Sequence, residues 1–503
     1  VKQLSEEALD YELARLGFTP ADPGRPLRIH QKACVLICLA FPQFALYLHM
    51  GTGKTRIILE VMNHVFRRVS PAPLILVLNP SESAVYSWQA QHKQWRIPIP
   101  MTAIGNSSSG DKWLARAAHE GGFLAITYPG LARLLSKLEK TKRGNNRLVM
   151  DPKKVAKFVA GVGAVIYDES TESGSYKTVT FRVCRALSKR AKYRYVLAGR
   201  PFGRDPQALW TQQWLVDHGE TLGGTLELFR GAFFSESRGN FGGTEYKLKR
   251  GAEKQLASVL QHRSIVYASE ECLDLPPVTR IVETVRLPDA ARAYYNKAEI
   301  ALRRARTRFE IESSFLRMRQ ISSGFLGYKE FTDENSEKWE KAEFVFPENP
   351  KQDRLVELIQ EMPTGRKAVV FYEFTHSGRS VTQALKKVGI SAGWLWSGTK
   401  NSRDLLRQFD DDPGLRVLVA NWKIASMALN LQVANYTFMY ESPVSPIKRE
   451  QAEHRCFRDG QTRPGFLVDL VCQGTQDQHI LDMLAEGEDL FEALVKRPSR
   501  IPP

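Results

Sequence analysis

The chain has 503 residues, more than one hydrophobic core accommodates, so two or three domains are expected. Hydrophobic content of 43% and charged content of 25% are ordinary for a folded globular protein and argue against a disordered or fibrous chain. Lysine and arginine number 71 against 55 acids, and the formal charge of +16 suits a polyanionic partner such as nucleic acid, although a solvated basic surface would carry it equally well.

In chain order, Leu9, Leu13 and Leu16 fall at i, i+4, i+7 and predict a first helix. The stretch Thr19-Pro20-Ala21-Asp22-Pro23-Gly24-Arg25-Pro26 is a linker by its prolines and glycine. Leu27-Arg28-Ile29-His30-Gln31 opens a second helix. The longest apolar stretch, Ala33 to Met50, is interrupted by Pro42 and Gln43, a poor membrane span that reads better as a buried helix followed by a strand. The six cysteines form no CxxC pair and no zinc-spaced cluster, which predicts a reduced, intracellular protein. No signal-peptide pattern opens the chain, so a cytoplasmic, non-secreted protein without a membrane partner is expected.

The stretch Leu48-His49-Met50-Gly51-Thr52-Gly53-Lys54-Thr55 follows the apolar run Phe44–Tyr47 and leads into an amphipathic helix. Strand, glycine turn, Lys-Thr and helix make the plan of a phosphate-binding loop. Glycines admit the backbone N–H groups to the phosphates, and the helix start adds partial positive charge. Lys54 suits the β- and γ-phosphates and Thr55 suits Mg²⁺. Leu48 stands where the full pattern requires glycine, and a glycine-rich turn in a core would show the same residues.

Strands are predicted at Leu74–Leu78, Phe123–Thr127, Ala164–Tyr167 and Tyr195–Ala198, alternating with helices. This pattern predicts an α/β fold, a parallel sheet with helices on both faces. The pattern breaks over about 215–265 and passes Leu275-Pro276-Pro277 into a helical, arginine-rich segment at about 288–322. A second alternation follows, with strands at Ala368–Tyr372, Trp394–Trp396, Val417–Ala420, Tyr436–Tyr440 and Phe466–Leu470. The strand ending at Tyr167 delivers Asp168-Glu169 to its C-terminal end, the edge where ligands sit in doubly wound sheets. Asp168 would hold Mg²⁺ through its water shell and Glu169 would orient and deprotonate the attacking water.

With these motifs in this order, the chain resembles a superfamily-two helicase or translocase, more narrowly the Swi/Snf-like DNA-dependent ATPases, as a compact phage or bacterial member. Leu27–Gln31 resembles the family's adenine-reading segment, which implies nucleotide contacts from Arg28 and Gln31. Met50-Gly51-Thr52-Gly53-Lys54-Thr55 is similar to its motif I, which lacks the first glycine and so accounts for Leu48. Asp168-Glu169-Ser170-Thr171 resembles a DEAH-type box, and Leu197-Ala198-Gly199-Arg200-Pro201 resembles motif III with Arg200 in place of threonine. Leu275–Val278 resembles the entry to the second lobe and Val369–Phe374 resembles motif IV. Ala425–Leu431 resembles motif V with alanine and serine in place of glycines, Gln451–Gln461 resembles motif VI, and Gly474–Asp477 resembles the turn opening the last helix.

The resemblance covers about residues 27–490. It implies two tandem RecA-like lobes with helical insertions: an N-terminal helix and linker at 1–26, an ATP-binding lobe at 27–214, a protrusion or linker at 215–265, and a second lobe at 266–503 with an insertion at about 288–365. On a helix Gln451, Arg455 and Arg458 share one face at i, i+4, i+7. Arginines there suit a triphosphate, and Arg455 and Arg458 are arginine-finger candidates, unranked by spacing. An ordinary solvated helix face would show the same spacing.

For DNA, Asn79-Pro80-Ser81 resembles motif Ia, Thr127-Tyr128 motif Ib, and Ser397-Gly398-Thr399 the corresponding element of the second lobe. Hydroxyls and N–H groups at strand ends bind phosphates without reading bases, and the same residues cap helices. Lys137, Lys140, Lys142, Arg143, Arg147, Lys153, Lys154 and Lys157 form a basic cluster read as a loop flanked by helix, and Arg303, Arg304, Arg306 and Arg308 form another. Either could hold a duplex electrostatically or be a solvated face.

The expectation is an ATP- and Mg²⁺-dependent monomeric motor, with ATP in the cleft between two lobes. The resemblance implies that it translocates on double-stranded DNA through backbone contacts, in the cytoplasm on nucleoid or host-cell DNA, with a protein partner for targeting. A strand-separating helicase of the same superfamily is the alternative, and a nucleic-acid-binding scaffold with a silent ATPase fold is the alternative from another class.

Overall fold

The computed structural model describes residues 2–70, 72–105, 120–140, 146–199, 207–238, 244–272, 275–331, 339–399, 401–425, 431–458 and 460–495. The chain divides into two compact units, Val1–Ser237 with Thr244–Asp274 and Asp489–Pro503, and Leu275–Glu488 with Arg238–Gly243.

The first unit opens with α1 (Glu6–Arg15) and α2 (Ile29–Ala40), then β1 (Gln43–Leu48), α3 (Lys54–Phe66), β2 (Leu74–Asn79), α4 (Glu82–Gln94), β3 (Met101–Ile104), β4 (Gly122–Thr127) and α5 (Tyr128–Leu134). A hairpin of β5 (Ser136–Lys140) and β6 (Asn146–Met150) leads to α6 (Pro152–Val159), β7 (Val162–Tyr167), α7 (Val179–Arg190), β8 (Tyr193–Ala198) and α8 (Ala208–Asp217). After α9 (Leu226–Phe233), β9 (Phe234–Arg238), β10 (Thr244–Leu248) and α10 (Ala252–Leu260), the strand β11 (Ser264–Tyr267) completes a seven-stranded sheet. Its order is β11-β1-β8-β7-β2-β4-β3, and each pairing is parallel.

The strands are buried on both faces, which is why they read as continuous apolar runs. Along β1, Phe44, Leu46 and Leu48 enter the core shared with Ile57, Ile75 and Ile166. Ala45 and Tyr47 enter the opposite core, with Leu76, Val165 and Trp214. The basic cluster at 137–157, expected as a loop between helices, is instead the β5–β6 hairpin followed by α6. Alternation there is masked by charge, since Lys137, Leu138, Glu139 and Lys140 are all exposed.

In the second unit β12 (Val278–Val285) precedes α11 (Asp289–Arg304) and α12 (Arg308–Ser322), so the helical stretch expected over 288–322 is two helices parted at 305–307. Thr307 caps the second one, accepting from Glu310 N at 3.2 Å. The antiparallel hairpin β13 (Phe325–Phe331) and β14 (Trp339–Val345) follows. Then come α13 (Pro350–Glu361), β15 (Ala368–Tyr372), α14 (Thr375–Lys387), β16 (Ala392–Leu395), α15 (Ser402–Asp411), β17 (Val417–Asn421), α16 (Trp422–Ala425), β18 (Tyr436–Met439), α17 (Pro446–Cys456), β19 (Gly465–Cys472) and α18 (Gln476–Val495). The parallel sheet runs β12-β19-β18-β15-β17-β16. Each unit is therefore an α/β body on a parallel sheet, the fold class the sequence predicts.

Candidate nucleotide-binding site

In the first unit the loop after β1, the turn after β2, the start of α5 after β4 and the acids after β7 all lie at C-terminal strand ends, hence along one edge of the sheet. Gly51 at φ +83° and Gly53 at φ +90° take the left-handed conformation that side chains rarely adopt. A methyl on Gly53 would also lie 2.3 Å from Gln31 Nε2. Thr52 is fully buried, and its hydroxyl donates to the His49 carbonyl at 2.7 Å. The Thr52 carbonyl accepts from Nε2 of His30 at 2.8 Å and from Nε2 of Gln31 at 3.0 Å. Gln31 Oε1 in turn accepts from the Arg28 backbone N–H at 3.2 Å. The Gln31 amide thus clips the segment at 28–31 onto the glycine loop. His30, which drew no attention in the sequence, supplies the parallel bond. Burial lowers its imidazole below the ordinary 6.5, the Thr52 bond opposing and Arg28 assisting.

Lys54 Nζ donates to the Leu48 carbonyl at 2.7 Å, at the base of the loop, and its charge acts on Asp168. Met50 and Thr55 are half-buried beside it. Asp168 Oδ2 accepts from the indole N–H of Trp88 at 2.8 Å, and Oδ1 accepts from the Glu169 backbone at 3.1 Å. Burial raises the Asp168 carboxyl above its usual range, against the Trp88 bond and the Lys54 charge. Glu169 sits at φ +44°, ψ +58°, a left-handed conformation for a side chain with a Cβ. Strain of this kind is held in place at functional positions. Directly after it, the buried Ser170 hydroxyl donates to Gln212 Oε1 on α8 at 2.6 Å. Gly199, just after β8, lies close enough to the loop that a methyl there would stand 3.8 Å from Met50 Cγ; Arg200 and Pro201 lie outside the described residues.

The donors fit a magnesium nucleotide. Left-handed glycines open the loop backbone, Lys54 stands beside the carboxylate Asp168, and both meet at one strand edge. Lys54 and the loop N–H groups would hold phosphates, while Thr55 and Asp168 would hold Mg²⁺, which supplies charge for the leaving phosphoryl group when bound.

Two of the residues expected to touch DNA face inward instead. Asn79 is fully buried, its Nδ2 donating to the Val77 carbonyl at 3.1 Å and the Ile126 carbonyl at 3.5 Å. Its amide N–H groups thus stay within the sheet, one on β2 itself and one reaching β4, while Oδ1 is buried without a partner. Tyr128 is buried too, and its hydroxyl donates to the Asp168 carbonyl at 3.0 Å. Ser81 is half-buried and caps α4, accepting from Ala84 N at 3.3 Å. Thr127 caps α5, accepting from Gly130 N at 3.1 Å. Lys142 and Arg143 lie outside the described residues, while their neighbours Lys137, Lys140, Arg147, Lys153, Lys154 and Lys157 are exposed.

In the second unit Gln451 and Arg455 lie on α17, which ends at Cys456, with Phe457 at φ −102°, ψ +83°. Arg458 therefore falls beyond the helix, and the expected i, i+4, i+7 face stops one member short. The turn carrying it is clamped by Gln461, whose Nε2 reaches the carbonyls of Gln432 at 2.9 Å and Ala434 at 3.0 Å. A buried ion network holds the other side of α17. Arg449 grips Asp469 of β19 with both terminal nitrogens, at 2.5 and 2.7 Å, and Glu453 at 2.5 Å. Arg280 of β12 adds a second grip on Glu453, at 2.7 and 3.2 Å. Burial raises the Glu453 carboxyl, and the two guanidiniums outweigh it, holding it below its ordinary value. Sequence reasoning missed this network, because partners on α17, β12 and β19 lie far apart in the chain.

Ser397 and Gly398 are exposed after β16. The strand stops at Leu395, and Trp396 lies stacked on Trp394, centroids 5.1 Å apart and planes 10° from parallel. Gly398 packs on that ring, where a methyl would approach to 2.4 Å. The motif V residues 426–430 lie outside the described residues.

The Helicase conserved C-terminal domain family matches residues 350–460. Protein p41 of Acyrthosiphon pisum secondary endosymbiont phage 1 is 23% identical over 474 residues, spanning 90% of this chain and 94% of that protein. The mouse SWI/SNF-related matrix-associated actin-dependent regulator of chromatin subfamily A containing DEAD/H box 1 is 31% identical over 77 residues, covering 15% of this chain and 8% of its own length. The chain spans between 8% and 26% of the length of the yeast, bacterial and mammalian helicases that it matches. Among solved structures, the Hef helicase domain of Pyrococcus furiosus is similar in fold, with TM-score 0.53 and 14% identity over 90% of this chain and 97% of that one.

Proposed function

We propose that this chain belongs to the Swi/Snf-like branch of the superfamily-two helicases and is an ATP-driven motor that translocates on double-stranded DNA, a reading supported by the helicase C-terminal family match and the helicase relatives. The observation that carries the reading is the meeting of the glycine loop, Lys54 and Asp168-Glu169 at one strand edge of the first unit. Lys54 and the loop backbone hold the phosphates, Thr55 and Asp168 hold Mg²⁺, and Glu169 orients the attacking water. Arg28 and Gln31 stand on the adenine side. Gln451, Arg455 and Arg458, in the second unit, offer donors suited to a triphosphate, with Arg455 and Arg458 as the arginine-finger candidates. Ser81, Thr127, Ser397, Gly398 and the exposed lysines of the β5–β6 hairpin grip the phosphate backbone without reading sequence. The chain acts as a monomer, in the cytoplasm, with a protein partner for targeting.

The test is ATP hydrolysis with and without blunt duplex DNA, in wild type and Lys54→Ala. Stimulation by duplex in wild type and its loss in the variant are expected. Displacement of a triplex-forming strand from blunt duplex is expected with no unwinding of a forked one. Unwound forks with an undisturbed triplex would mean a strand-separating helicase, and hydrolysis indifferent to DNA would sink the motor.

A further inference from the structure

Asp168 is held from two sides by aromatic donors that are not themselves nucleotide- or metal-binding candidates. Trp88, buried in α4, aims its single N–H at Oδ2, 2.8 Å away. Tyr128, buried at the start of α5, aims its hydroxyl at the carbonyl of the same residue, 3.0 Å away. The Asp168 backbone N–H is fixed as well, donating to the Leu78 carbonyl of β2 at 2.9 Å. Side chain and main chain of one carboxylate are thus oriented by two helices and a strand.

An indole N–H is a donor only, and it meets an ionised, acceptor-only carboxylate at a half-buried position, a charge-assisted bond that is directional and strong. With Trp88 on Oδ2 and the Glu169 N–H on Oδ1, each oxygen keeps acceptor capacity for a cation. The bond also gives α4 a direct line to the acid. Ser81 caps that helix two turns earlier, next to the strand end where the motor reading places a DNA phosphate.

We propose that Trp88 and Tyr128 are positioning residues that hold Asp168 in its metal-binding orientation, and that Trp88 carries the placement of α4 on DNA to that carboxylate. The proposal rests on the reading of Asp168 as a Mg²⁺ holder and deepens it by naming how DNA reaches the hydrolytic site. Groups that orient a metal ligand from behind typically contribute about tenfold to a hundredfold in metal affinity or activity.

Trp88→Phe and Tyr128→Phe each keep a ring and remove one donor. In the full-length chain, binding of a fluorescent ADP analogue is titrated with Mg²⁺, and ATPase is followed with and without saturating duplex. The Mg²⁺ midpoint for nucleotide binding is expected to rise about tenfold in Trp88→Phe, and less in Tyr128→Phe. Magnesium-free nucleotide affinity should stay within about twofold of wild type, which general loosening of the fold would not give. DNA-stimulated kcat should fall by about tenfold in Trp88→Phe with the duplex concentration for half-stimulation unchanged. Hydrogen exchange supplies a readout apart from activity. Duplex should slow exchange in residues 82–94 of both proteins, and in residues 168–170 of wild type alone. Tyr128→Phe removes one oxygen and no carbon, so it decides the orienting half should Trp88→Phe fold poorly. Wild-type Mg²⁺ midpoints and kcat in both variants overturn the proposal while leaving the motor reading standing. A wild-type chain that binds nucleotide without any Mg²⁺ dependence overturns both.

Discussion

Replacing Arg449 by methionine should destabilise the second unit by about 4 kcal/mol, within the range of about 3–5 kcal/mol seen when one partner of a buried ion pair is removed. The figure follows from what the variant leaves behind. Asp469 loses both of its short bonds at 2.5 and 2.7 Å and has no other cation among the described residues. Glu453 fares better, because Arg280 still holds it at 2.7 Å from a more exposed position. The loss is thus chiefly that of one uncompensated buried carboxylate. Asp469→Leu alone should cost a similar amount by stranding Arg449. The pair Arg449→Met with Asp469→Leu should recover most of the loss, since an apolar pair of similar volume replaces a buried ion pair at little cost. Urea denaturation at pH 7, followed by far-UV circular dichroism, measures this. With a slope of about 2–3 kcal/mol per M, the second unit's midpoint should fall by about 1.3–2 M in each single variant. A loss under about 1 kcal/mol in Arg449→Met, or a double variant as unstable as the two single losses added, would refute the reasoning. The double variant also asks whether the network sets the pose of Arg455, because a restored fold with depressed ATPase isolates that contribution.

Gly53→Ala should cost about 1–2 kcal/mol from its φ of +90° alone and should also push Gln31 off the Thr52 carbonyl. Nucleotide affinity measured by titration calorimetry should fall more than stability does, and unchanged binding would mean that the loop does not cradle phosphates. His30 gives a pH dependence. Its folded-state proton affinity is lowered, so the neutral ring stabilises the fold fully above about 6.5, and that stability is lost as pH falls through 6.5 toward the depressed value. The urea midpoint of the first unit should therefore drop on going from pH 7.5 to 5.5 by more in wild type than in His30→Gln, which keeps a donor for Thr52 and cannot titrate. Equal slopes in the two proteins would show that burial of the ring does not disfavour its charged form.

What the sequence by itself determined is local. Glycines at 51 and 53, Lys-Thr behind them and an apolar run in front define a strand, a left-handed turn and a helix start within a dozen neighbours. Asp168-Glu169 is legible for the same reason, being two acids at the end of an apolar run. Strands buried on both faces announce themselves as unbroken apolar stretches, so the parallel sheets were visible too. β5 is charged and exposed beyond Ser136, and β6 offers only the half-buried Leu148-Val149-Met150, too short a run to predict a strand, so the sequence predicts a loop there. The spacing of motif VI predicts one continuous helix face, but the chain leaves the helix at Cys456, and a 3.6-residue period cannot show where a helix ends. Tertiary structure alone decided which way the polar side chains at the strand ends turn. Asn79 and Tyr128 sit beside motifs that suggest DNA, yet one stitches β2 to β4 and the other steadies Asp168. Trp88 is eighty positions from the carboxylate it orients, and Arg449 twenty from its own. Such bonds are set by the order of strands in a sheet and the packing of helices over it, and neither is written in the spacing of residues along the chain.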